Sequence, residues 1–124
     1  MKSVLITGTS KGIGFETALS FARGGYKVFA TMRNLEAAST LQKQITDESL
    51  NIIIYKMDVD SDDSVKHCIQ SIIEEHGIID VLVNNAGIER HGSIEELPMS
   101  DFKAIMETNY FGVIRCIQAV LPQM

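Results

Sequence analysis

The sequence predicts a doubly wound α/β sheet, parallel strands with helices packed on both faces. Three observations carry that expectation. Short apolar runs alternate along the chain with segments of helical periodicity. The runs Leu5-Ile6, Ile52-Ile53-Ile54 and Val81-Leu82-Val83 are continuously apolar, as strands buried on both faces are. A glycine-rich turn, Gly8 to Gly14, joins the first strand to the first helix. Right-handed crossovers join such units, and in a sheet of the order 3-2-1-4 the crevice opens between strands 1 and 4.

Taken in order, residues 3–6 read as the first strand and 15–23 as a helix with Ala18, Leu19 and Ala22 on one face, stopped by Gly24-Gly25. Residues 26–31 form a second strand, 35–45 a helix with Leu41 and Ile45 one turn apart, and 52–57 a third strand rich in β-branched residues. Ser61 is placed to cap the next helix, and Asp62 and Asp63 follow where the helix dipole favours acid. Its apolar stripe is Val65, Cys68, Ile69, Ile72 and Ile73, and Gly77 ends it. A fourth strand, 80–84, exits through Asn84-Asn85-Ala86-Gly87. A polar loop around His91, read as a solvated histidine, precedes a last helix over 100–121. That helix carries Phe102, Ile105, Met106, Val113, Ile117, Val120 and Leu121 as its apolar residues.

Composition narrows the function. A chain of 124 residues, 45% hydrophobic and 22% charged, suits one domain, 1–124, with its own core. The net charge of −5 lacks the basic footprint of a nucleic-acid binder. No apolar stretch approaches the roughly 18 residues of a membrane span. The first residues run into the glycine turn with no cleavage-like site, so no signal peptide is expected. Cys68 and Cys116 lack Cys-x-x-Cys spacing, which argues for core packing and against a metal site. A reducing, cytoplasmic setting is the expectation.

The turn Gly8-x-x-x-Gly12-x-Gly14 presents backbone N–H groups and a helix N-terminus, which suits a phosphate or pyrophosphate. It is not a P-loop, because Ile13 and Gly14 stand where Gly and Lys are needed, and it is not G-x-G-x-x-G. Together with Asp58-Val59, Asn84-Asn85-Ala86-Gly87 and Asn109, in that order, it resembles the short-chain dehydrogenase/reductase family. The likeness runs from residue 3 to the end and covers the first half of a typical member. Residues 29–35 are similar to the branch holding 17β-hydroxysteroid and retinol dehydrogenases.

The resemblance implies a nicotinamide dinucleotide. Gly8, Ser10, Lys11, Gly12, Ile13 and Gly14 would line its pyrophosphate and adenosine ribose. Asp58 would accept from the adenine amino group with Val59 beside the ring, and Asn85, Ala86 and Gly87 would wall the riboses. Asn109 would mark a helix distortion and serve as one member of the catalytic set. Other readings stay open: Asp58 as a helix-start acid, Asn84 and Asn85 as backbone partners at a strand end. At the end of strand 2, where an acid selects NAD, the chain has Met32 followed by Arg33. Arg33 and Lys11 therefore point to the 2′-phosphate of NADP(H).

The expected reaction is hydride transfer between NADP(H) and a small-molecule alcohol or carbonyl. The family's catalytic Ser and Tyr-x-x-x-Lys have no counterpart here, since Tyr26, Tyr55 and Tyr110 are followed four residues on by Ala30, Val59 and Ile114. The chain therefore reads as the cofactor half of a longer enzyme, inactive alone; the alternative is a non-catalytic dinucleotide-binding module acting through a partner. Strand 4 is expected to need a neighbour on its outer side, and homo-oligomerisation is expected to cover part of the last helix.

Overall fold

The computed structural model describes residues 1–124. Ser3–Ile6 forms β1, buried along its whole length. Helix α1, Gly12–Arg23, begins three residues before the expected start, because Gly12 and Gly14 belong to its first turn. Strand β2 is Lys27–Met32. Asn34 caps a 3₁₀ turn at Leu35–Ala38 by accepting from the Glu36 N–H, and the chain then relaxes into α2, Ser39–Glu48. Strand β3 is Ile52–Lys56. Helix α3, Asp62–His76, is capped as expected, the Ser61 hydroxyl accepting from the Ser64 N–H at 3.2 Å. Gly77 ends it at φ +87°, a conformation that other residues rarely adopt. Strand β4 is short, Val81–Val83.

The last helix is distorted at Asn109, as the resemblance implies, and is therefore not the single regular helix over 100–121. It is α4, Met99–Met106, then a π-helical turn, Glu107–Phe111, then α5, Gly112–Val120, and a closing 3₁₀ turn, Leu121–Gln123. The π turn adds a residue to the helical repeat and so rotates α5 about the helix axis relative to α4. The buried stripe is Thr108, Gly112, Cys116 and Val120, while Met106, Ile117 and Leu121 stand exposed.

All strands are parallel in the order β3-β2-β1-β4. Val4 and Ile6 face one side of the sheet, packing with Ala18 and Leu19 of α1 and Leu41 of α2. Leu5 and Phe29 face the other side, against Val65, Ile69 and Ile72 of α3 and Cys116 and Val120 of α5. Each large apolar side chain buried in this way stabilises the fold by about 1.5–3 kcal/mol relative to exposure. Both cysteines are free and buried, as expected from their place in apolar stripes.

A polar relay links β2, β3 and the end of α3. Lys27 Nζ lies 2.8 Å from His76 Nδ1, and Tyr55 Oη lies 3.1 Å from His76 Nε2. Tyr55 in turn donates to Glu75 at 2.9 Å. Lysine can only donate, so the His76 proton sits on Nε2. β4 pairs with β1 alone, so its outer side is the edge that the sequence reading expects another segment or chain to cover. Its entry is held by Gln123, whose amide both accepts from the Ile79 N–H and donates to the Ile79 carbonyl.

Candidate cofactor site

The turns after β1 and β4 leave the sheet side by side at its carboxyl end, the place where open α/β sheets bind ligands. Between them and the turn after β3 lies a cleft of about 640 Å³. Gly8, Ser10, Lys11, Gly12 and Ile13 form one wall, Met57 to Asp60 another, and Asn85 to Glu89 a third. Met32 and Arg33 close it at the end of β2, and Thr108 lies at its floor. Of the thirteen residues singled out from the sequence, all but Gly14 and Asn109 line this one cleft.

Gly14 and Asn109 act from behind the wall. A side chain on Gly14 would fall on the Gly8 carbonyl and the Asn85 amide, so the turn closes only with glycine there. Gly8 itself sits at φ +69°, with Ala86 Cα 2.8 Å from where a Cβ would be. Gly12 is also left-handed, φ +65°, but opens onto free space. Lys11, the residue before α1, offers no side-chain cap, so the first N–H groups of the helix remain for an anion. These features fit a pyrophosphate.

The asparagines are engaged with the protein itself. Asn85 Nδ2 donates to the carbonyls of Thr7 and Gly8 at 3.1 and 3.0 Å. The N–H groups of Asn85 and Ala86 both donate to the buried Thr7 hydroxyl, at 3.0 and 2.9 Å. The backbone-partner reading of Asn85 thus holds for its side chain, while Asn84 is exposed. Asn109, inside the π turn, clamps Ile88 from both sides: its Oδ1 accepts from the Ile88 N–H and its Nδ2 donates to the Ile88 carbonyl, each at 2.8 Å. Thr9 fastens the glycine turn to β2, donating to the Thr31 carbonyl through both its N–H and its hydroxyl, each at 3.0 Å.

Asp58 lies ahead of the Ser61 cap and is no helix-start acid. Its Oδ1 accepts from the Asp60 N–H at 3.0 Å, and its Oδ2 has no protein partner. Asp60 accepts from Thr108 at 2.6 Å. Arg115 donates to the Val59 carbonyl at 3.0 Å and pairs with Asp62 and Glu107, which hold its guanidinium still more firmly protonated. Thr7 and Thr9 stand in the glycine motif of the sequence without a role of their own there, while Asp60, Thr108 and Arg115 were not apparent as parts of the site. Asp60 and Thr108 stand 48 residues apart, and nothing local pairs them.

Lys11 and Arg33 both line the cleft, are exposed and form no ion pair. Met32 touches the cleft but is 2% exposed, its side chain packed with Ala30, Leu41 and Ile52. His91 is exposed, as expected of a solvated loop histidine. No helix is long and apolar enough to cross a membrane, and no group of acidic, His or Cys residues is arranged to hold a metal.

The short chain dehydrogenase family profile matches residues 2–124. Retinol dehydrogenase 8 of Bos taurus is 41% identical over 99% of this chain and 40% of its own length. An NADPH-dependent pterin aldehyde reductase of Arabidopsis thaliana is 37% identical over 99% of this chain and 51% of its own. Among solved structures, a gluconate 5-dehydrogenase of Burkholderia cenocepacia in complex with NADP and tartrate superposes with TM-score 0.89 at 35% identity, over 98% of this chain and 48% of that one. The chain thus spans about half the length of the relatives it matches. With its parallel 3-2-1-4 sheet, its glycine turn and its Asn-Asn-Ala-Gly wall, this chain belongs to the short-chain dehydrogenase family.

Proposed function

We propose that residues 1–124 bind NADP(H) for an oxidoreductase that interconverts a small-molecule alcohol and carbonyl by hydride transfer. The observation that carries the choice of cofactor is that one cleft is lined by two unpaired cations, Arg33 after β2 and Lys11 in the glycine turn, with Met32 at the end of β2 where an acid would select NAD. The α1 N-terminus and the glycine turn hold the pyrophosphate, and Asp58 Oδ2 remains free for the adenine amino group. Asn85 ties its own wall to the glycine turn at Gly8, and Asn109 holds that same wall at Ile88. The relatives support this reading, one being named NADPH-dependent and another solved with NADP. When bound, the cofactor supplies the hydride.

Titrating NADPH and NADH by fluorescence tests it. NADPH binds more tightly by about 1–3 kcal/mol, the size of one or two charge-assisted hydrogen bonds. Lys11→Ala and Arg33→Ala each remove part of that difference. Equal affinities for the two dinucleotides would overturn the assignment of both cations. No Tyr has a Lys four residues on, so these residues alone bind without turning over. A preparation of verified mass that oxidises NADPH with a small ketone would refute this.

A further inference from the structure

The π turn grips two walls of the cleft with two consecutive residues. Thr108, buried, donates to Asp60 Oδ1 at 2.6 Å, and Asp60 in turn donates its N–H to Asp58 Oδ1 at 3.0 Å. Asn109 holds Ile88, on the opposite wall, through both of its polar atoms. Successive helical residues project in different directions, so this one turn reaches the segment after β3 and the segment after β4 at once. Arg115 supports the first of these grips by donating to the Val59 carbonyl. Gly112 leaves no slack, since a Cβ there would stand 2.9 Å from Val59 Cγ2.

We propose that Thr108 and Asp60 are positioning residues whose bond sets the spacing between the Asp58–Asp60 turn and the Asn109–Ile88 clamp. The adenine wall and the opposite wall then move as one unit. The assignment of the adenine end rests on the NADP(H) reading above; the mechanical link between the walls is a property of the chain alone.

Amide hydrogen exchange and titration with 2′,5′-ADP, which carries the adenine end without nicotinamide, test the two parts separately. Thr108→Val keeps the shape and removes the donor. It speeds exchange at Asp60 and, across the cleft, at Ile88 by about tenfold, and weakens 2′,5′-ADP binding by a similar factor. Thr108→Ser restores exchange and binding to within about twofold of the parent, because the hydroxyl returns. Asp60→Ala removes the acceptor and speeds Ile88 exchange to the same degree, which serves equally where the valine variant does not fold. Unchanged Ile88 exchange in the folded variants overturns the proposal, as does a serine variant that restores nothing. A parent chain that fails to bind 2′,5′-ADP removes the NADP(H) reading, while Ile88 exchange still decides the link.

Discussion

Met32 shows how far one residue could be read from the sequence. Its position at the end of β2, with Arg33 beside it, was legible from the strand pattern and the motif order. Its burial was not, because that depends on Leu41 and Ile52 arriving from α2 and β3. Replacing it with Asp therefore has two effects. The carboxylate supplies a ribose acceptor and repels a 2′-phosphate, moving preference toward NADH. It also enters an apolar cluster, which costs about 2–4 kcal/mol of stability. Melting the Met32→Asp variant with saturating NADPH or NADH resolves both: a lowered transition, with NADH the better stabiliser. A variant that melts like the parent would show that the side chain swings clear of the cluster. Asn85 and Asn109 teach the complementary lesson. Their presence marked the site, yet their amides are committed to carbonyls and N–H groups of neighbouring turns, contacts that exist only once the sheet has formed.

At the scale of elements, caps and stripes were readable because they are local. Ser61, Gly77 and the α3 stripe needed no tertiary information, whereas the π turn in the last helix did. Its extra residue is offset by the grip of Thr108 and Asn109 on separate walls; the family resemblance at Asn109 pointed to a distortion there, while the apolar periodicity did not. The first turn of α1 makes a sharp prediction. Gly14→Ala drives a methyl into the Gly8 carbonyl, so the variant loses dinucleotide binding and about 2–4 kcal/mol of stability; near-parent melting and affinity would show that the turn can open. The interface of α3 and α5 makes another. Burial pushes the Cys68 thiol up from 9.0 to about 12 and the Cys116 thiol up to about 11. Burial, then its bond to Glu75, pushes Tyr55 up from 10.0 to about 12. In each case the fold favours the protonated form, so the stabilisation is complete below the unfolded value and fades as pH rises through the folded one. Stability is expected to hold at neutral pH and to decline from about pH 9 upward, with both thiols inert to a disulfide reagent at about pH 8 until the chain unfolds. Rapid labelling of the native protein would show that α3 and α5 part readily.

Over the whole molecule, two surfaces stand without partners inside this chain. β4 is an edge strand bearing no Lys or Pro, and Tyr110, Ile117, Leu121 and Met124 leave apolar surface along the last helix. Light scattering is expected to show concentration-dependent association, reduced by Ile117→Lys together with Leu121→Lys; a strict monomer at all concentrations would contradict it. The doubly wound sheet was legible as a whole because continuous apolar strands allow few other arrangements. The side-chain bonds that join its turns were not, since each spans dozens of residues. Those bonds carry a calorimetric consequence. Thr9 with Thr31, Thr7 with Asn85, Ile88 with Asn109, and Thr108 with Asp60 close a frame around the cleft using the protein's own groups. A guest entering such a seat has no loop to order, so the heat-capacity change on binding should report the guest's buried surface alone, without the larger signature of a segment folding around it.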